Sequence, residues 1–482
     1  MKLYEALAAD FEDSIRNGVL RAGDKLPSVR QTSRSRKLSA STVFQAYYLL
    51  EGRGLIRARE RAGYFVAPSV RASMAQPAVP SAPRDESVSV DVSALVADIL
   101  GSVRTRSVAQ FGSAFPSPEL FPYARLGRSL ASTARFADPW SSMDDLSPGN
   151  AVLRRQISLR YLADGVSVAP EEIVITNGAL EALGLCLSAV TQPGDAVIVE
   201  CPAFYAALQM IERMGLRAVP ICTHPTKGID LTALEHAIVR HSPKVCWLMT
   251  TFQNPLGCTM SEVRKKELVA LLARHQVPMI EDDVYAELYF GDARPAPAKA
   301  FDKEGLVMHC SSFSKSLAPG YRIGWAAPGR FAAAVAREKI AVSLSACVPA
   351  QLALADYLKH ASFDKHLRRL RQTLASRQGA LVRALAHYFP AGTLATQPKG
   401  GYFLWVEVPG EHDVLAIQRK AMASGVSFAP GPMFSATGQF RNCLRLNYGH
   451  PWDPQAERGI ESLGKLFVNA TRSDTARVAV PA

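Results

Sequence analysis

Residues 307–322 read VMHCSSFSKSLAPGYR. Val307–Cys310 is an apolar run of strand length. It gives way to hydroxyl side chains, Ser311, Ser312, Ser314 and Ser316, grouped around one cation, Lys315. Pro319-Gly320-Tyr321 then leads to Arg322, seven residues beyond the lysine. A lone lysine in a loop is by default a surface charge. Hydroxyls on both sides and a nearby guanidinium instead describe a nest for a phosphate beside an amine, because such donors match phosphate oxygens.

The same strand-then-turn pattern recurs upstream. IVIT (173–176) precedes a helix from 178, AVIVE (196–200) one from about 203, VCWLMTT (245–251) one from about 261, and VPMIED (277–282) closes the series. This βαβ alternation predicts a mostly parallel sheet covered by helices, with ligands gathering beyond the carboxyl ends of its strands. Two further polar groups fall there. Asn177-Gly178-Ala179 opens a helix on small residues, so its N–H groups and dipole are open to a phosphate. Met279-Ile280-Glu281-Asp282 ends a strand on a carboxylate, which taken alone would more often be a cap. An amine able to form an imine, donors for a phosphate and a carboxylate to face a pyridine nitrogen are together the demands of pyridoxal 5′-phosphate. The opposed charge keeps that ring nitrogen protonated and the ring an electron sink.

At 482 residues the chain has room for about three folding units. Its 48% apolar and 20% charged content excludes wholesale disorder and a collagen-like chain. No apolar run is long enough for a membrane-spanning helix. The opening MKLYEALAADFEDSI carries acids where a signal peptide needs an apolar stretch, so a cytoplasmic protein is expected. Eight cysteines without a CxxC pair read as reduced core residues, not a disulfide frame or zinc site. The net charge of +12 is uneven: residues 1–71 hold 13 basic and seven acidic side chains, half the surplus in about a seventh of the length. That asymmetry points to a polyanion. Residues 69–90, with Pro77, Pro80 and Pro83 and no apolar periodicity, read as a linker able to reach on the order of 70 Å if extended. The expected organisation is therefore a head (1–68), a linker (69–90) and a body (91–472).

In the head, the patterning predicts helices over about 2–17, 28–36 and 40–52, then short β pieces at 55–58 and 64–66. Ser28 is placed as an N-cap after Pro27. Ser39, Ser41 and Thr42 begin the third helix, whose Val43, Ala46, Tyr47 and Leu50 recur at inward spacing. The polar start of that helix is left free to enter a major groove, and Arg57, Arg59, Arg61 and Gly63 form a basic wing.

Residues 3–67 resemble the winged helix-turn-helix of GntR-type bacterial regulators through LYEALA, IRNGVLRAGDKLPSVR, STVFQAY, GLI and GYFV. The resemblance implies DNA contacts from Ser28, Arg30, Ser39, Ser41 and Thr42, with Gly63 at the wing tip. The family often places an Arg between the hydroxyl residues that open this helix, and here Ala40 stands there.

Residues 105–470 resemble fold-type I aminotransferases, which implies an α/β body with helices on both sheet faces and a small C-terminal α+β subdomain. By that resemblance Lys315 carries the cofactor and Asp282 pairs with its pyridine nitrogen. Tyr285 (in DDVY) and Asn254 (in FQNPLG) would bind the ring hydroxyl, and Phe204 would stack on the ring. Gly178, Ala179, Ser312 and Arg322 would hold the phosphate, and Arg445 (in CLRLNYG), beside Asn254, a substrate carboxylate. The Tyr that many relatives donate from a neighbouring subunit has no counterpart in ADPWSSMDDLSPGN, where Trp140 is the nearest aromatic.

Head plus body is the layout of the MocR subfamily of transcription regulators, which FGSAFPSPELFP also resembles. That implies a homodimer on double-stranded operator DNA, with an amino acid or amine as effector. Two alternatives stand beside this regulator: a working aminotransferase with an accessory head, and a DNA-binding protein whose body is only a scaffold.

Overall fold

The computed structural model describes residues 3–17, 19–21, 23–52, 55–59, 62–66, 74–102, 108–136, 138–140, 143, 145–360 and 363–478. Arg61, read as part of the wing, and residues 69–73 of the expected linker lie outside the described residues. The head packs α1 (Leu3–Arg16), α2 (Val29–Arg36) and α3 (Ala40–Gly52) beside an antiparallel pair, β1 (Ile56–Arg59) and β2 (Gly63–Val66). Ser28 caps α2 by accepting from the Gln31 N–H at 3.2 Å. Ser39 does the same for α3 through the Thr42 N–H at 3.1 Å. Val43, Ala46, Tyr47 and Leu50 are fully buried against Leu7, Phe11, Leu26, Ile56 and Val66. Tyr47 fastens this small core: its hydroxyl donates to the Pro27 carbonyl at 2.7 Å and meets Thr32, and its ring edges against Phe11 and Tyr64. A unit this small buries little apolar surface, so one buried ring joining all three helices and the wing matters.

The body is built on a mixed sheet. Among the described residues its strands are β3 (Val88–Ser89), β5 (Val174–Thr176), β6 (Ala196–Cys201), β7 (Arg217–His224), β8 (Gly228–Ile229), β9 (Val245–Leu248), β10 (Met279–Asp282), β11 (Val307–Ser312) and β12 (Gly324–Ala327). A separate short strand, β4 (Ala109–Gln110), pairs with β15 (Val426–Ser427). The order is β3-β7-β6-β9-β10-β11-β12-β5; β7 to β11 run parallel, while β12 is antiparallel to both its neighbours. Alternate residues serve opposite faces. Val197, Val199 and Trp247 pack under helices Ala179–Ser188 and Tyr205–Arg213, while Ile198, Cys246 and Met279 pack under helices Leu231–His241 and Glu262–His275. Both faces are thus covered, which explains the near-continuous apolar strands.

The C-terminal subdomain holds the sheet β13 (Leu394–Ala395), β14 (Phe403–Glu407), β17 (Cys443–Asn447) and β16 (Ala429–Pro430), in that order, against helices Phe363–Tyr388, Val414–Ala423 and Pro454–Val478. No helix among the described residues is long and apolar enough to cross a membrane. All eight cysteines are free thiols; Cys347 is exposed and Cys222 half-buried, unlike the six buried in the core.

The segment read as a linker differs from expectation over its described part. From Met74 onward it lies along the body as a strap. The Met74 and Ala75 carbonyls accept from Gln397 and Ala395, Ser81 bridges Cys201 and Thr223, Asp85 pairs with Arg240 and His241, and Val88–Ser89 adds an edge strand to β7. A strap at a sheet edge tolerates prolines because its outer side needs no backbone donors.

Candidate cofactor site and DNA-facing surface

The parallel strands deliver their polar residues to one edge. Asp282 ends β10, Ser312 ends β11, Phe204 follows β6 as the residue preceding helix Tyr205–Arg213, and Gly178 follows β5 to cap helix Ala179–Ser188. Gly178 has φ +81°, a conformation that favours glycine, and any Cβ there would collide with the Arg322 guanidinium. At Gly324 on β12 a Cβ would press on the Gly178–Ala179 backbone, so that second glycine lets the helix start sit against the sheet. Arg322 donates to Ser314 Oγ at 3.3 Å and to the Asn177 carbonyl at 3.4 Å. The Ser314 N–H donates to Ser312 Oγ at 3.3 Å. Helix N–H groups, Ser312, Ser314 and Arg322 therefore form one cup suited to a phosphate. Ser314, one of the hydroxyls read around Lys315, joins the cup although the aminotransferase resemblance assigned it no part.

Beside the cup, Lys315 Nζ donates to the Ala114 carbonyl at 3.0 Å and lies 3.8 Å from the centre of the Phe115 ring. Burial, with the nearby charges of Arg445 and Arg322, pulls its pKa down to about 7. Asp282 is buried, and neither carboxylate oxygen has a well-formed hydrogen bond, beyond a weak pull from the Val284 N–H. Burial and the neighbouring Asp283 push its pKa up to about 7. A buried carboxylate without a partner is costly unless a cation arrives to face it. A protonated pyridine nitrogen is such a cation, so the residues present fit the cofactor. Tyr285, three residues on, is buried edge-on to Tyr402 and Phe403, and burial raises its phenol pKa.

Arg445, on β17, is fully buried. Its Nη1 donates to Asn254 Oδ1 at 3.1 Å and its Nη2 to the Gly112 carbonyl at 3.1 Å, while its guanidinium carbon lies 4.0 Å from the Phe403 ring centre and 5.2 Å from that of Phe434. Burial lowers its pKa, and every acceptor named is neutral. Its Nε lacks a partner. Such a guanidinium is primed for a carboxylate. Asn254 is thus brought to the arginine, as the paired reading of these two residues expects. The contacts of Ala114 and Phe115 with Lys315, and the Tyr402 hydroxyl that donates to the same Ala114 carbonyl at 3.1 Å, have no signal in local spacing. Trp140 is exposed, as are Phe136 and Met143.

On the head, Ser28, Arg30, Ser39, Ser41 and Gly63 are exposed, and Thr42, in the first turn of α3, is half-buried. Arg30 and Ser28 share a shallow groove with Gln31, Arg34 and Ser35. Arg34 is one turn beyond Arg30 on the same face, a spacing visible in sequence but not used. The Ser39 hydroxyl meets those of Ser41 and Thr42, both at 2.8 Å, so the three form one hydroxyl patch.

This is a DNA-reading head on a body of the pyridoxal phosphate-dependent aminotransferase fold. The family model "Aminotransferase class I and II" matches residues 147–463, and "Bacterial regulatory proteins, gntR family" matches residues 3–66. The chain therefore belongs to the aminotransferase class I and II family, in the MocR-type arrangement with a gntR-family head. It is 46% identical to the uncharacterized HTH-type transcriptional regulator YdcR of Escherichia coli (strain K12), over 97% of this chain and 99% of that one. The multiple substrate aminotransferase of Thermococcus profundus superposes with a TM-score of 0.72 at 27% identity, covering 78% of this chain and 95% of that one. LysN of Thermus thermophilus, an alpha-aminoadipate aminotransferase solved with N-(5′-phosphopyridoxyl)-L-leucine, gives 0.70 at 29%, covering 78% and 97%.

Proposed function

We propose that the protein is a cytoplasmic transcription regulator that binds operator DNA through its head and senses an amino acid or amine at the pyridoxal phosphate site of its body. The observation that carries this reading is the pairing, in one chain, of an exposed Arg30–Ser41 surface with a buried Asp282 whose charge is complete only with a cofactor. The HTH-type regulators named among its relatives support it.

Bound at this site, the cofactor supplies an electrophilic aldehyde carbon and an electron-withdrawing ring. The chain's residues do the rest: Asp282 holds the ring-nitrogen proton and Tyr285 and Asn254 the ring hydroxyl. Phe204 covers a ring face, and Gly178, Ala179, Ser312 and Arg322 hold the phosphate. Arg445 clamps the α-carboxylate of the effector and so selects amino acids over simple amines. A second copy of the chain would cover the exposed Phe136, Trp140 and Met143, which supports a homodimer.

The test is fluorescence anisotropy of the full chain on DNA from upstream of its own gene, at fixed salt, with pyridoxal phosphate present, removed and restored. Specific binding that changes with the cofactor upholds the regulator; no specific binding in any state overturns it for that operator. The joint presence of Lys315, Asp282 and an Arg445 held against Asn254 keeps transamination as a second reading, in which Lys315 would move the proton. A turnover assay coupled to 2-oxoglutarate decides it.

A further inference from the structure

We propose that the segment Asp282–Leu288 is a two-sided lever that passes the state of the cofactor pocket to the cleft facing the DNA-reading head, with Glu287 as its outward contact. The inference rests on the regulator reading above and names the route by which the site acts.

One short segment carries both ends of the lever. On the pocket side stand Asp282 and Tyr285. On the other side, the Asp283 carboxylate accepts from Arg294 at 3.1 Å and meets His309 at 3.0 Å. Glu287 accepts from Arg160 at 2.6 Å and from Arg371 at 3.4 Å, with Arg294 at 4.0 Å. Its backbone carbonyl also takes the Arg371 Nε–H at 2.7 Å. One carboxylate thus holds three guanidinium groups. Despite its burial, the charges of Arg294 and Arg160 keep Glu287 ionised below the usual carboxylate range. Ser311 Oγ donates to the Asp283 carbonyl at 3.0 Å, tying the lever to the strand that leads to Lys315.

The outer end of this network meets the head. Arg160, Glu287, Arg294 and Arg371 line a cleft of about 1260 Å³ whose far wall is Phe44, Tyr48 and other head residues. Arg371 lies on helix Phe363–Tyr388, which contacts α3, the helix that begins with the DNA-facing hydroxyls. Its guanidinium is stacked 3.7 Å from the Tyr289 ring centre, which fixes its orientation. Phe44 and Tyr48 remain 56% and 57% exposed, so the head rests on the body without being sealed to it.

A coupling of two sites needs a ligand that distinguishes two arrangements. Here the difference is electrostatic. Without a cation at its carboxylate Asp282 is buried with only the weak pull of the Val284 N–H against it; with one it is satisfied, and the segment that holds it relaxes toward the pocket. Glu287, five residues along the same segment, moves with it. Arg160 and Arg371 follow, and with them the wall on which α3 rests.

The experiment compares operator affinity with and without pyridoxal phosphate in the wild type and in Glu287→Gln, all as full-length chains. Typical couplings predict a wild-type ratio of roughly 5–150-fold. Glu287→Gln should bring it within about twofold of unity while the visible absorbance of the bound cofactor and DNA binding in the cofactor-free state persist. Should Glu287→Gln not fold, Arg371→Gln, which removes one of its three guanidinium partners, carries the same expectation. An undiminished ratio in the folded variant overturns the lever and leaves the regulator standing. A wild-type ratio of one overturns both.

Discussion

In the head, Arg30, Arg34 and Ser41 stand in water, the two arginines along one open groove. In the body, Asp282 and Arg445 are sealed from it and Lys315 is half-buried; Asp282 is pushed up to about 7 and Lys315 pulled down to about 7, because burial moves an acid up and an amine down. Exposed charges gain little from any one partner and act by number, through counterions released from a polyanion. Buried charges act singly, because each leaves a large electrostatic demand that one ligand group can meet. The two halves should therefore answer substitution differently: the body all or nothing, the head by increments.

The sharpest break of the comparison is Lys315→Ala. It should abolish the visible absorbance of the protein-bound cofactor while the fold, judged by circular dichroism, persists. An unchanged spectrum would remove Lys315 from its role. Next in size is Arg445→Gln, which should retain the cofactor yet weaken the spectral response to amino acids by on the order of 10- to 100-fold, the worth of a charge-assisted bidentate contact. Amines without a carboxylate should respond as before. Loss of the cofactor itself would make Arg445 a structural residue. Smaller again are Arg30→Ala and Arg34→Ala: each should lower the salt slope of DNA binding by about one unit and leave the cofactor spectrum untouched. A slope that stays constant in both would mean the head docks by another face.

The cofactor cup was legible because its donors are local. Ser312, Ser314, Lys315 and Arg322 fall within eleven residues, and strand, turn and helix start each carry a short-range signal. The head was legible for the same reason, down to the cap at Ser28. The lever was not. Arg160 and Glu287 lie 127 positions apart, and Tyr161, which meets His309 at 2.6 Å, lies 148 away from it. No periodicity encodes such pairs; only the strand order brings them together. The strap over 74–90 failed for a different reason. Composition reports the absence of a repeating apolar face, not the absence of partners, and an edge strand of two residues needs no such face.

The smallest effect probes the body without any ligand. In the cofactor-free protein Asp282 titrates at about 7, against 3.8 for its ordinary value. Between those pH values the folded chain holds a proton that the unfolded chain has released. Stability contributed by this group is therefore complete below about pH 4 and drains away as pH rises toward 7. Asn cannot titrate and keeps the shape. Cofactor-free Asp282→Asn should match the wild type at about pH 4 and melt about 3 °C higher at about pH 8, a shift of the size that roughly 1 kcal/mol brings in a large domain. Adding pyridoxal phosphate should reverse the order, because only the wild type then gains a charge partner and the binding energy that goes with it. Arg30→Ala, in the exposed head, should show no such pH dependence of melting. A variant no more stable than the wild type at the higher pH would mean that Asp282 is already satisfied before the cofactor arrives, and the contrast between a demanding body and an undemanding head would fall with it.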